Sequence, residues 1–95
     1  MNQLYIIIIE YTAGFSSDID DKMQELLSSI GQEMRLTEHS YFLSTDATPV
    51  IIRDAIKNSP YNVERIFVAQ VSSPSAWRNL ISDNSDIKAF LRNEF

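Results

Sequence analysis

Leu4-Tyr5-Ile6-Ile7-Ile8-Ile9, followed by Glu10-Tyr11-Thr12-Ala13-Gly14, is the stretch on which the fold turns. The run is short, continuously apolar and rich in β-branched residues. That predicts a strand buried on both faces, and therefore a central one. It is too short to cross a bilayer or to form a secretory h-region, and no basic segment precedes it. The expectation is a cytoplasmic chain with no membrane association.

Working outward, Ser16, Ser17 and Asp18 are helix-start residues. Ile19, Met23, Leu26, Leu27 and Ile30 behind them form one helical stripe. Gly31 suits a helix C-cap with positive φ, so the spacing predicts a helix over 17–30. Met34 and Leu36 alternate with Glu33 and Arg35. Thr37-Glu38-His39 is a polar turn, and Tyr41-Phe42-Leu43 follows, closed by Ser44-Thr45-Asp46. Together these read as a hairpin, although no Asn-Gly or Asp-Gly marks its turn. Thr48-Pro49 opens a second helix as N-cap and first residue. Ile52, Ala55 and Ile56 are its apolar stripe, and Pro60 stops it. Arg65 to Val71 reads as a second strong strand. Ala76, Trp77, Leu80 and Ile81 have helical spacing, and Asp86 opens a last short helix with Ile87, Phe90 and Leu91 on one face.

The order is β-α-β-β-α-β with a helical tail, in a single domain over 1–95. Two βαβ halves of this kind form an α+β, ferredoxin-like sandwich: a four-stranded antiparallel sheet with two helices on one face. A solvated second face would show polar residues at alternate positions. Here Ile6 and Ile8 share one face of the first strand, and Tyr5, Ile7 and Ile9 the other. In the last strand Ile66 and Val68 oppose Phe67, Ala69 and Val71. Neither face is polar, so something covers the second one. Two covers are compatible with the chain: its own C-terminal segment (Trp77, Ile87, Phe90, Leu91), or a second subunit on a two-fold axis. Ile6, Ile8, Tyr41, Phe67 and Trp77 are the expected interface residues of the sheet face or dimer.

Composition narrows the chemistry. The 95 residues include no Cys, so disulfide frameworks, Cys-based zinc sites and thiol catalysis are excluded. One His rules out a His-rich metal site. Thirteen acidic against eight basic residues give a net charge of −5, which disfavours nucleic acid as a partner. With two Gly, and one Gly and no Lys between Glu10 and Ser16, neither a Walker nor a dinucleotide-binding cradle is present.

Several blocks together resemble a known family. Tyr5 to Tyr11 resembles an opening strand ending in an acidic residue. Leu26-Leu27-Ser28-Ser29-Ile30-Gly31 resembles a helix ending in Leu-Gly. Thr37 to Leu43 resembles a Leu-Glu-Ser-Thr-Trp hairpin segment, and Ile52-Arg53-Asp54-Ala55-Ile56 an Ile-Arg-Asp helix. Ile66 to Val71 with Ala76-Trp77 resembles a Leu-Phe-Val strand followed by Ala-Trp. The chain thus resembles the small bacterial SinR-like proteins, which are similar in fold to the ferredoxin-fold endonuclease of CRISPR adaptation. In those endonucleases an Asp ending the first strand binds a divalent metal near the dimer axis. The resemblance implies that Glu10 is the matching catalytic and metal-ligating position, with Mg²⁺ or Mn²⁺ as the ion if the chain is catalytic. Glu departs from Asp by one methylene, where placement errors of about 1 Å are costly.

Each candidate has a plainer reading. Glu10 is an ordinary acid at a strand end. Asp18, Asp20 and Asp21 complement a helix N-terminal dipole, and they lack the loop of a calcium hand. His39 belongs to a surface hairpin, and no Gly-x-Ser-x-Gly elbow accompanies it. Tyr5, Tyr41 and Phe42 imitate the aromatics of an RNA-recognition module, but the Gly- and Lys/Arg-bearing third-strand motif is missing. Arg53, Lys57, Arg65, Arg78 and Arg92 read as solvated cations, and Trp77 as core beside Leu80. Three functions remain open: a homodimeric interaction or assembly module needing no cofactor, a metal-dependent phosphodiesterase using Glu10, and an acidic regulatory module for a basic protein partner.

Overall fold

The computed structural model describes residues 2–12, 14, 16–71 and 87. Strand β1 (Gln3–Tyr11) leads to helix α1 (Ser17–Ile30), strands β2 (Gln32–Thr37) and β3 (Ser40–Thr45), helix α2 (Pro49–Lys57) and strand β4 (Val63–Gln70). The sheet order is β2-β3-β1-β4, all antiparallel. The ferredoxin-like arrangement expected of the chain is therefore the one observed. The apolar run Leu4–Ile9 lies in a central strand, paired on both sides.

Both helices start where the chain supplies a cap. The Ser16 hydroxyl accepts the Ile19 N–H at 3.2 Å. The Thr48 hydroxyl accepts the Ile51 N–H at 3.2 Å, and Pro49 opens α2. Met23 and Leu27 of α1 and Ile52 and Ile56 of α2 pack on Tyr5, Ile7, Ile9, Tyr11, Tyr41 and Leu43 of the sheet. One helix-covered face thus holds the main core.

Gly31 follows α1, but its backbone is extended (φ −172°), not left-handed. Its requirement is space. A Cβ there would run into the Ser44 carbonyl oxygen and lie 2.8 Å from Thr45 Cβ. The β2–β3 turn also needs no positive φ, because neither Glu38 nor His39 adopts one. Thr37 Oγ1 instead accepts the His39 N–H at 3.2 Å and meets Ser40 Oγ at 2.6 Å. The β2–β3 register shifts between Arg35 and Thr37. Side-chain hydroxyls and a bulge replace the glycine turn.

The second face of the sheet carries a smaller cluster. Leu4, Leu36 and Phe42 are buried there with Ile87, and Ile6, Met34 and Val71 pack against it. Ile87 is helical and fully enclosed. A residue of the C-terminal part therefore supplies some of the cover. Trp77, Phe90 and Leu91, and the helical spacing around Trp77, lie outside the described residues.

Candidate functional site

Two groups of side chains bear on function, one on each face of the sheet. The first is built around Glu10. In the β1–β4 ladder Glu10 stands directly opposite Arg65, on the face away from the helices. Arg65 Nη1 lies 3.3 Å from Glu10 Oε2 and 3.4 Å from Glu64 Oε2. One guanidinium therefore holds two carboxylates, and all three side chains are exposed. Glu64 is far from Glu10 in the chain and enters only through the strand register. Knowing that pairing is what would have found it.

As a donor set for a divalent ion this fits only in part. Mg²⁺ commonly takes one or two protein carboxylates with water and phosphate oxygens, and Glu10 and Glu64 can supply two. Arg65 already stands between them, so an ion would have to displace it. An exposed pair of this kind is worth only about 0–1 kcal/mol, so displacement is cheap. No group of three or more His, Asp or Glu able to hold a metal occurs among the described residues.

Next to this trio the same face is apolar and open. Ile8 and Phe67 are direct cross-strand partners, yet they are 42% and 59% exposed. Val50 and Ile51, at the start of α2, are also more than half exposed. A groove of about 150 Å³ runs beside β4, lined by Pro49, Val50, Arg53, Ile66, Phe67 and Val68. Arg53 at its rim bonds its neighbour Asp54 at 2.9 Å. Of the residues expected at the sheet-face interface, Ile6, Ile8 and Phe67 do share this face.

Tyr41 does not. It points to the helices, is fully buried, and donates its hydroxyl to Asp20 Oδ1. This is the centre of the second group. Asp20 Oδ2 accepts Gln24 Nε2 at 2.9 Å and faces Arg35 Nε at 3.3 Å. Burial and the Asp20 contact push the Tyr41 phenol far above its ordinary value of 10.0. The neighbouring Tyr11 is raised chiefly by burial, partly offset by the Tyr41 hydroxyl. Its own oxygen completes no well-formed hydrogen bond among the described residues. The His39 ring, half-buried in the hairpin, tilts against Tyr11 at 6.4 Å.

Asp20 had a plainer expectation, as one of three acids in the first turn of a helix. Asp18 fits it, being exposed and paired with Lys22 at 3.3 Å. Asp20 lies three residues before Met23 and seven before Leu27, so it falls on the buried stripe of α1. That offset is the sequence signal for its role. A carboxylate and phenol this enclosed cannot touch a substrate, and the cluster acts as a brace joining α1, β2 and β3.

No helix among the described residues is long and apolar enough to cross a membrane. No family model, curated protein or solved structure matches the chain.

Proposed function

We propose that this chain is a protein-interaction module that works as a homodimer. The observation that carries the reading is the exposed cross-strand pair Ile8–Phe67 on the face that the helices leave open. Val50 and Ile51, exposed at the start of α2, add apolar surface that a partner can cover. A monomer gains nothing from leaving such a patch in water.

The magnitudes suit a reversible dimer. Completing the burial of these four side chains in two copies contributes roughly 1–1.5 kcal/mol each, on the order of 10 kcal/mol gross. Association costs at least about 4 kcal/mol. The difference, at most about 6 kcal/mol, corresponds to dissociation constants of tens of micromolar or weaker. Sedimentation of the chain across that range is the test. A monomer-to-dimer transition is expected, and a monomer throughout would overturn the reading.

A second reading, metal-dependent phosphodiester hydrolysis, is favoured by one observation: Arg65 draws Glu10 and Glu64 to a single nitrogen. Labelled RNA and DNA incubated with Mg²⁺, Mn²⁺ or chelator, for wild type and Glu10→Ala, separate the two. Metal-dependent cleavage lost in the variant would establish a hydrolase. The interaction reading expects no cleavage, with Glu10→Ala folded as wild type and less stable by no more than about 1 kcal/mol.

A further inference from the structure

The open patch consists of two cross-strand pairs. On the face away from the helices Ile8 stands opposite Phe67, and two residues along both strands Glu10 stands opposite Arg65. All four side chains are exposed. Arg65 makes both of its ion pairs through Nη1, and Glu10 and Glu64 each use only Oε2. The remaining nitrogens of the guanidinium, and Oε1 of both carboxylates, make no hydrogen bond among the described residues. The patch therefore offers donors, acceptors and apolar surface together. An interface about a two-fold axis presents the same patch from both sides, and it must be self-complementary in this way.

We infer that two copies pack these faces together about a two-fold axis parallel to β1 and β4 and midway between them, so that Ile8 lies on the partner's Phe67 and Glu10 on the partner's Arg65. The inference rests on the homodimer reading and specifies which residues of the patch meet. An axis in the plane between two facing sheets has two simple directions, along the strands or across them. Along the strands, it carries β1 of one copy over β4 of the other without changing the level along the strand. Each member of a cross-strand pair then meets the opposite member in the other copy, apolar on apolar and carboxylate on guanidinium. Across the strands at the level of Ile8, the axis reverses that level. Glu10 then lies on the partner's Ile6 and Arg65 on the partner's Ala69, which buries charges against apolar groups without a partner. Only the axis along the strands matches both pairs.

The rest of the face agrees with it. This axis overlaps only β1 and β4, and the β3 and β2 strands of the two copies fall on opposite sides of it. Phe42, Met34 and Leu36, which pack with Ile87, belong to β3 and β2, so they lie beside the partner's sheet rather than beneath it. Facing sheets stand about 10 Å apart, a gap that Arg and Glu side chains reaching from both sides can close. Glu64 is the residue that the β1–β4 register skips, since Arg65 opposes Glu10 and Val63 opposes Tyr11. It lies at the open end of the overlap, where water and salt screen its surplus charge.

Charge reversal, read by sedimentation, tests the inference. Glu10→Arg sets like charge on like charge at both crossings, and so does Arg65→Glu. Each variant alone is expected to dimerise with a Kd at least about tenfold above wild type. Mixed one to one, the two variants restore opposite charges at both crossings, and their heterodimer is expected to return to within about threefold of the wild-type Kd. Circular dichroism checks that each variant is folded. Should a reversal fail to fold, Glu10→Gln and Arg65→Gln take its place. Each breaks both crossings, their mixture regains one, and the mixture is expected to associate more tightly than either variant alone. A wild-type dimer whose variants associate unchanged, or whose mixture is no tighter than the variants alone, would refute this axis and leave the homodimer standing. A wild type that stays monomeric would overturn both.

Discussion

Asp20 is the residue whose substitution says most about how the chain holds together. Its carboxylate takes the Tyr41 hydroxyl and the Gln24 amide and faces the Arg35 guanidinium, all but sealed from water. Removing one partner of a buried polar network strands the others, which costs more than the network's net worth. Asp20→Ala is expected to lose about 3–5 kcal/mol, and Tyr41→Phe about 1–3 kcal/mol, both read from urea unfolding. The raised phenols add a pH signature. A group whose folded-state ionisation lies above its unfolded value contributes stability that is fully present below the unfolded value and lost as pH rises through the folded one. For Tyr11 and Tyr41 the loss begins above about 10, and Tyr41→Phe should flatten that alkaline limb. Glu33 follows the same sign at the other end of the scale. Burial and the nearby Asp20 charge raise it above 4.5, so its ionised form opposes folding at neutral pH. Glu33→Gln should therefore stabilise the chain at pH 7, with the gain gone below about pH 4.

Among elements, the strands and helices were legible because each stripe has its own period. The run Leu4–Ile9, the stripe Ile19–Ile30 and the pair Thr48-Pro49 lie where their patterns put them. What the pattern of residues hid was pairing. The Arg65 bridge to Glu10 and Glu64, and the inward turn of Tyr41, depend on register, and a period of two does not say which strand is the neighbour. The role of Gly31 was hidden for a similar reason. A glycine after a helix suggests a left-handed cap, but the constraint here comes from Ser44 and Thr45 on β3, against which the start of β2 lies. The opposing atoms are backbone and a β-branched Cβ, so neither can swing aside. Gly31→Ala is expected to cost about 1–3 kcal/mol through a forced backbone shift. A cap needing positive φ would be rescued by Gly31→Asn, which tolerates that region. The crowding predicts that Asn is at least as damaging as Ala, and the two melting temperatures decide between these causes.

At the scale of the molecule the sheet's second face is divided. At one end Leu4, Leu36 and Phe42 are covered with Ile87, whereas Ile8 and Phe67 stand open beside the Glu10–Arg65 pair. The sequence showed apolar residues on this face along the middle of β1 and β4. It did not show that two different solutions would share it, because the alternation of Ile6, Ile8, Phe67 and Ala69 is the same at both ends. The division makes association and folding separable by mutation. Phe67→Asp places a charge where water already reaches, so the monomer should lose about 1 kcal/mol or less. In a homodimer that covers this face it puts an unpaired charge into the interface, where burial without a partner is costly. Leu4→Asp instead buries an unpaired charge in the cluster with Ile87, and the chain should fail to fold. Melting followed at several protein concentrations distinguishes the two. Because association stabilises only the folded chain, the wild-type melting temperature should rise with concentration. That of Phe67→Asp should not, and should coincide with the low-concentration limit of the wild type. A concentration-independent wild type would overturn the homodimer reading, and a Phe67→Asp chain that is unfolded at every concentration would mean that the open end of the sheet serves the monomer's own core.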